Sequence, residues 1–338
     1  MIAAGAMAGW AAVRLLNQGE RYTFAGRTVL VTGGSRGLGL ALSRQLASEG
    51  ARVAICGRDH EALERARGSL EEIGAEVFAL PVDVSDREAV ATLVEQVTGR
   101  LGPIDVLVTN AGVIEVGPAE TMALADFEEA MDVNFWGTVY PTLAVLPAMR
   151  ERGDGRIVNI TSIGARLGVP HLLPYSASKF AALGFSQGLR AEVRRDGVRV
   201  TAVVPGLMRT GSPRNATFRG KHRAEYAWFS IADSFPGITV GVEDAARRIL
   251  DGVRRGDAEV RFPAVTRLAV IAATVAPNLT ASALDLTARL LPDAPDSSSG
   301  RKPGRESQSP VSPSWLTRLG DDAARRYNQI APSEGASA

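Results

Sequence analysis

The sequence is poor in the residues that bind metals or cross-link chains. It has one cysteine, Cys56, and three scattered histidines, His60, His171 and His222. A single cysteine excludes an internal disulfide and points to a reducing compartment, the cytoplasm. Histidines far apart, with no cysteine partner, offer no metal-ligand cluster, so no metal is expected. Cys56 lies in the apolar run VAIC and reads as a small buried hydrophobe. An excess of charge is also missing. Lys and Arg number 38 against 37 Asp and Glu, a net charge of +1. That balance gives no electrostatic case for a nucleic-acid partner. Long apolar runs are absent too. Arg14 interrupts the apolar start MIAAGAMAGWAAVRLL, which also lacks the basic lead of a secretory signal. Arg267 and Pro277–Asn278 break up RLAVIAATVAPNLTASALDLTARLL, so neither stretch reads as a membrane span. There is no internal repeat.

What is present is an ordinary globular composition: 338 residues, 45% hydrophobic and 22% charged. Short Val/Ile-rich runs (TVLVTG, RVAICG, EVFALPVD, IDVLVTNAG, RIVNITS, VRVTAVVPG) read as strands covered on both faces. Helical periodicity lies between them, over Leu38–Glu49, Asp59–Ile73, Asp86–Arg100, Ala125–Glu151 and Tyr175–Arg195. A further helix, Glu243–Arg255, precedes a short last strand, Ala258–Phe262. This alternation predicts an α/β fold: a Rossmann-type doubly wound parallel sheet of about seven strands with helices on both faces. The chain divides into an apolar N-terminal extension (1–25), this domain (26–262), an apolar helical extension (263–291) and a Ser/Pro-rich tail (292–338) read as largely disordered. An irregular stretch at 206–241 reads as a substrate loop. Near the end, SWLTRLGDDAARRYNQI has the pattern of a short amphipathic helix.

Two local patterns carry chemistry. In TGGSRGLG the first strand runs directly into a glycine turn and then a helix. Gly33 permits the sharp turn, Gly37 lets backbone approach a pyrophosphate, and Gly39 lets helix and strand pack closely. The helix start supplies N–H groups and a partial positive charge. In YSASK, Tyr175 and Lys179 stand one helical turn apart on one face, with small residues between. A phenol ionises near about 10, and a nearby cation lowers that value. Such a pair could move a proton near neutral pH, or could be helix-surface decoration.

The motifs resemble, in order, those of the short-chain dehydrogenase/reductase family: TGGSRGLG, Asp83 in PVDVSD, Asn110–Gly112, Asn134 in MDVNFWG, Ser162 in IVNITS, YSASK, and Pro205–Gly206. The resemblance covers about Gly26 to Phe262. It implies a nicotinamide cofactor held by Gly33, Ser35, Arg36, Gly37, Leu38 and Gly39. Asp83 and Val84 would hold the adenine, and Asn110, Ala111 and Gly112 would sit near the nicotinamide ribose. Pro205, Gly206 and Thr210 would lie near the carboxamide. It implies Tyr175 as general acid/base, with Lys179 lowering its pKa and binding the ribose. Ser162 would hydrogen-bond the substrate oxygen, and Asn134 would hold a water that links Lys179 to solvent. Where an NAD site has an acid, this chain has Gly57 followed by Arg58. With Arg36 nearby, NADP (NADPH) is expected and NAD less so.

The expected reaction is hydride transfer between a ketone or aldehyde and an alcohol, on a bulky, partly apolar or lipid-like small molecule. Alternatives are an epimerase or dehydratase on the same fold, or a non-catalytic NADP sensor. In the 206–241 loop, the aromatics Tyr226, Trp228, Phe229 and Phe235 suit an apolar substrate body. Arg209, Arg214, Arg219, Lys221 and Arg223 read as a solvated face. The apolar ends either touch a membrane peripherally or dock on the domain. The resemblance implies a homo-oligomer through the two long helices.

Overall fold

The computed structural model describes residues 22–294 and 300–330; the N-terminal apolar run up to residue 21 therefore lies outside the described residues. Seven parallel strands form the central sheet: β1 (Thr28–Thr32), β2 (Arg52–Gly57), β3 (Val77–Pro81), β4 (Ile104–Thr109), β5 (Gly155–Ile160), β6 (Val198–Pro205) and β7 (Glu259–Phe262). Their spatial order is β7-β6-β5-β4-β1-β2-β3. Three helices, α1 (Gly37–Ser48), α2 (His60–Glu71) and α3 (Arg87–Leu101), link β1 through β4. Next come α4 (Leu124–Ala130), a π-helical turn Met131–Trp136, α5 (Gly137–Arg152) and α6 (Leu173–Val193).

Period-two alternation of the strands builds two cores, one on each face. Val29, Val31, Val53, Ile55, Val106 and Val108 point at α1 and α2. Leu30, Ala54, Cys56 and Leu107 point the other way, at α3, α5 and α6. Cys56 is fully buried, and burial pushes its thiol up to about 12. The chain reverses direction between β1 and β4, so the carboxyl ends of these strands open a crevice, the usual ligand position in such sheets.

The stretch expected as one helix over Ala125–Glu151 carries the π turn in its middle. A π turn adds a residue to the helical ladder and re-aims the side chains around it.

Two outer segments differ from their expected form. The 206–241 stretch is an ordered lid that contains helix α7 (His222–Ser234). After α8 (Val242–Arg255), the hairpin α9 (Ala264–Val275) and α10 (Pro277–Ala288) follows β7. The tail, expected to be disordered, is ordered over residues 300–330. Its strand Lys302–Pro303 pairs antiparallel with Thr217–Phe218 of the lid, and helix α11 (Arg318–Arg326) packs on α7. Composition misleads here because the small residues serve close packing. A Cβ on Gly304 would meet the Pro213 carbonyl at 2.0 Å, and Ser307 and Ser312 are buried.

Candidate active site

The glycine turn is packed as its residues require. Gly33 has φ +63, and a Cβ there would meet Ala111 Cα at 2.8 Å. A Cβ on Gly39 would meet the Gly33 carbonyl at 2.2 Å. Asn110 locks the turn to the end of β4: its Nδ2 donates to the Thr32 and Gly33 carbonyls at 3.1 and 3.0 Å. Thr32 Oγ1 accepts from the Asn110 and Ala111 N–H groups in return. Helix α1 then starts at Gly37 with no side-chain cap and no acid in its first turn. No side chain of the helix's own first turn neutralises this positive end, the feature an anion-binding helix start needs.

Beyond the end of β2, Arg36 donates to Asn215 Oδ1 at 2.9 Å and to Asp59 Oδ2 at 3.2 Å. The other Asp59 oxygen caps α2 by accepting from the Ala62 N–H. Arg58 is 61% exposed and lies 3.9 Å from Asp83. Asp83 Oδ1 accepts from the Ser85 N–H and hydroxyl at 3.0 and 2.7 Å. Val84 is buried and abuts Gly137, where a Cβ would meet its Cγ2 at 2.6 Å.

Ser162, Tyr175 and Lys179 come together beyond β5. Ser162 caps the short turn Ile163–Ala165 by accepting from the Gly164 N–H at 3.1 Å. Gly164 gives the Tyr175 ring its place; a Cβ there would lie 3.3 Å from Cε1. Tyr175 sits in the first turn of α6, just after Pro174. Lys179, one turn on, is buried, donates to the Ile160 carbonyl at 3.0 Å, and lies 5.8 Å from the Tyr175 ring centre. Asn134, fully buried in the π turn, accepts from the Val113 N–H at 2.9 Å. It donates to the Val113 carbonyl at 3.1 Å and to Ser178 Oγ at 2.9 Å. Its amide thus ties the β4 exit loop to α6. Its carbonyl accepts from Thr138 Oγ1.

Burial governs both protonation states. It raises the Tyr175 pKa; the Ser162 hydrogen bond opposes this and the Asp233 carboxylate adds to it. Burial also lowers Lys179 to about 8. Desolvation thus favours the neutral phenol and the neutral amine.

Toward the lid, Pro205 ends β6, and Gly206 approaches Thr266 so closely that a Cβ would meet its Oγ1 at 2.1 Å. Thr210 is buried and its Oγ1 accepts from the Ser212 N–H. Tyr226 and Phe229 are buried with Phe218 and Leu172 in the lid's own core, against which Tyr175 packs. Phe235 is exposed. Arg219, expected to be solvated, pairs with Asp126 at 2.7 Å and Glu115 at 3.2 Å, both buried. Arg209 donates to Thr239 Oγ1 at 2.7 Å.

Asp233 was not foreseen. It is 5% exposed, and its Oδ2 has no hydrogen-bond partner among the described residues. Burial pushes its carboxyl up to about 7, against a Met208 N–H hydrogen bond and the Arg209 charge. Only helical spacing from Tyr226 and Phe229 could have marked it, and that helix lies in a segment without clear periodicity.

A glycine turn at a helix start and the Ser162, Tyr175 and Lys179 cluster lie on one doubly wound sheet, the arrangement of a nicotinamide-dependent oxidoreductase. Residues 27–218, more than half of the chain, match the short chain dehydrogenase family. The chain belongs to that family. It is 36% identical over 261 residues to a "Dehydrogenase/reductase SDR family protein 7-like" of Anopheles gambiae, covering 75% of this chain and 80% of the relative. It is 38% identical over 186 residues to the ketoacyl reductase HetN of a Nostoc species, covering 55% and 65%. Among solved structures, an actinorhodin polyketide ketoreductase variant with NADPH is similar at TM-score 0.63 and 35% identity, covering 70% of this chain and 95% of the other.

Proposed function

We propose that the protein is an NADP-dependent carbonyl reductase, also competent in the reverse direction, acting on a bulky, partly apolar ketone. The observation that carries this is the Tyr175 phenol beside the Ser162 hydroxyl, with Lys179 one turn along α6. Ser162 holds the substrate oxygen and stabilises the negative charge that develops on it. Tyr175 gives that oxygen its phenolic proton. A phenol with a raised pKa is fully protonated at neutral pH, which suits the donor role in reduction better than the base role in oxidation. Lys179 keeps its positive charge below about pH 8 and faces the crevice side of Ile160. When bound, the nicotinamide supplies the hydride. Gly33 to Gly39, Asn110 to Gly112 and Thr210 would hold it.

NADP preference is supported by Gly57 at the end of β2, by Arg36 beside it, and by the exposed Arg58. Asp59, the one nearby acid, is taken by the α2 cap and by Arg36. The NADPH-bound ketoreductase relative agrees. Near the start of α6 lies a surface cleft of about 340 Å³, lined by Pro118, Pro170, Leu173 and Leu291 and also by Glu120, His171 and Asp293; this mixed lining suits a partly apolar molecule. The relative named as a ketoacyl reductase supports a ketone.

The decisive experiment follows NADPH absorbance over a ketone panel. Tyr175→Phe should keep cofactor binding and lose about 10²–10⁴ in turnover; near-normal turnover would remove Tyr175 from its role. NADPH should exceed NADH in kcat/KM by about ten- to a hundredfold, the worth of a charged hydrogen bond, and Arg58→Ala should erode that ratio.

Two contacts extend the reading. The α9–α10 hairpin exposes Leu268, Ile271, Val275, Leu279 and Leu286, a face suited to a membrane surface. None of the described helices is long and apolar enough to cross one. Leu143 on α5 and Phe180 on α6 are half exposed, which suits a homo-oligomer through these helices. Sedimentation with and without vesicles reads both; a monomer left in the supernatant would reject both.

A further inference from the structure

The tail ends on the glycine turn. Beyond α11, the Tyr327 carbonyl accepts from the Gly37 N–H at 2.9 Å. Gly37 is the first residue of α1, the helix without a side-chain cap whose first N–H groups are the expected pyrophosphate cradle. Asn328, in the left-handed region at φ 57, donates from Nδ2 to the Ser35 and Ala62 carbonyls at 2.8 and 2.9 Å. Arg65 donates to its Oδ1 at 2.8 Å. Gln329 Nε2 donates to the Thr210 carbonyl at 3.2 Å, and its Oε1 accepts from Asn215 at 2.5 Å. That same Nε2 lies 2.8 Å from where a Gly37 Cβ would be. Three consecutive tail residues thus bridge the glycine turn, α2 and the loop after β6.

The segment is anchored from behind. Tyr327 is buried, its hydroxyl donates to Glu243 at 2.6 Å, and Arg44 covers its ring at 5.5 Å. In α11, Ala324 is fully buried against Gly211, where a Cβ would meet its Cβ at 2.4 Å. Ser234 of the lid donates to the Thr317 carbonyl.

We propose that Thr317–Gln329 is an autoinhibitory strap: with Tyr327–Gln329 seated on the start of α1, it competes with a dinucleotide pyrophosphate for the same N–H groups. The Tyr327 carbonyl presents a partial negative charge where a phosphate oxygen would sit, and one N–H cannot serve both at full strength. Gln329 covers the Gly37 backbone, where a phosphate has to approach. Cofactor binding therefore requires the strap to lift, and the fraction of lifted molecules divides the intrinsic affinity. Because α11 also rests on the lid, lifting frees α7 as well. The inference rests on the glycine turn binding a nicotinamide dinucleotide, and is independent of the preference between NADP and NAD.

The test titrates NADPH and NADH into the full chain and into an Asn328→Ala/Gln329→Ala double variant, read by calorimetry. The variant should bind both dinucleotides about five- to tenfold more tightly, as expected for removing a competing closed state. Ala324→Glu, which puts a charge into the strap's buried contact, should do the same by a separate route. In the unmodified chain, NADPH should accelerate trypsin cleavage after the exposed Arg325 and Arg326. Unchanged or weaker binding by both variants would overturn the strap, as would protection of Arg325 and Arg326 by NADPH. Failure of every form to bind either dinucleotide would overturn the cofactor reading, and the strap with it.

Discussion

At the scale of single residues, Tyr175 is governed by burial and by the sign of its neighbours. Burial pushes the phenol pKa up, and the Asp233 carboxylate adds to that push. Removing the Asp233 charge should therefore lower the Tyr175 pKa. Asp233→Asn should move the onset of alcohol oxidation, which needs the phenolate, to lower pH; an unmoved onset would show that Asp233 does not act on Tyr175. Lys179 sets the opposite limb. It loses its proton as pH rises through about 8, so kcat/KM for reduction should fall above that value. The sign is opposite for stability. The Lys179 pKa is lower in the folded chain than in the unfolded one. Its contribution to stability is therefore present above the unfolded value and lost as pH falls toward about 8.

At the scale of elements, glycines in helices do opposite things according to what a Cβ would meet. In α1, Gly39 abuts the Gly33 carbonyl and Asn110 Nδ2 at 2.2 and 2.6 Å. Gly39→Ala should cost about 1–3 kcal/mol from overpacking, and a thermal melt should lose its upward shift with NADPH as the turn is forced open. In α2, Gly68 has nothing within 4 Å of a Cβ. Gly68→Ala should therefore stabilise by about 0.5–1 kcal/mol and leave cofactor binding alone. The π turn is an element-scale device too. It directs Asn134 at Val113 and Ser178, so that one amide fixes the loop after β4 against α6. Sequence periodicity shows a helix there, but an extra residue in the ladder leaves almost no trace in apolar spacing.

At the scale of the whole molecule, lid and tail are one layer. Arg219 joins the lid to Glu115 and Asp126, and Arg301 of the tail reaches Glu115 at 3.4 Å and also pairs with Glu129. Phe218 is the fully buried centre of this layer, 5.4 Å from the Tyr226 ring and 6.1 Å from Phe229. Phe218→Ala should cost the layer about 3–5 kcal/mol. Substrate KM should rise and the lid should become protease-sensitive, while the sheet's own melting changes little. A variant with native KM and native protease resistance would contradict this layer's role over the site.

The meeting of Ser162 with Tyr175 and Lys179 was implied by the family resemblance; the sequence by itself determined the sheet, its flanking helices and the glycine turn. Those features follow from local periodicity and from turns whose residue types are physically required. Only the tertiary structure decided the fate of the lid and tail. The tail's Ser, Pro and Gly composition reads as disorder because it lacks a repeating apolar face, and the 206–241 stretch reads as an irregular loop for the same reason. Their order comes instead from close backbone approach at Gly304 and Gly211, from buried ion pairs, and from Tyr327 locked against Glu243. Such contacts join residues far apart in the chain, and no local pattern encodes them. The same reason hid Asp233, a buried carboxylate whose Oδ2 has no hydrogen-bond partner among the described residues.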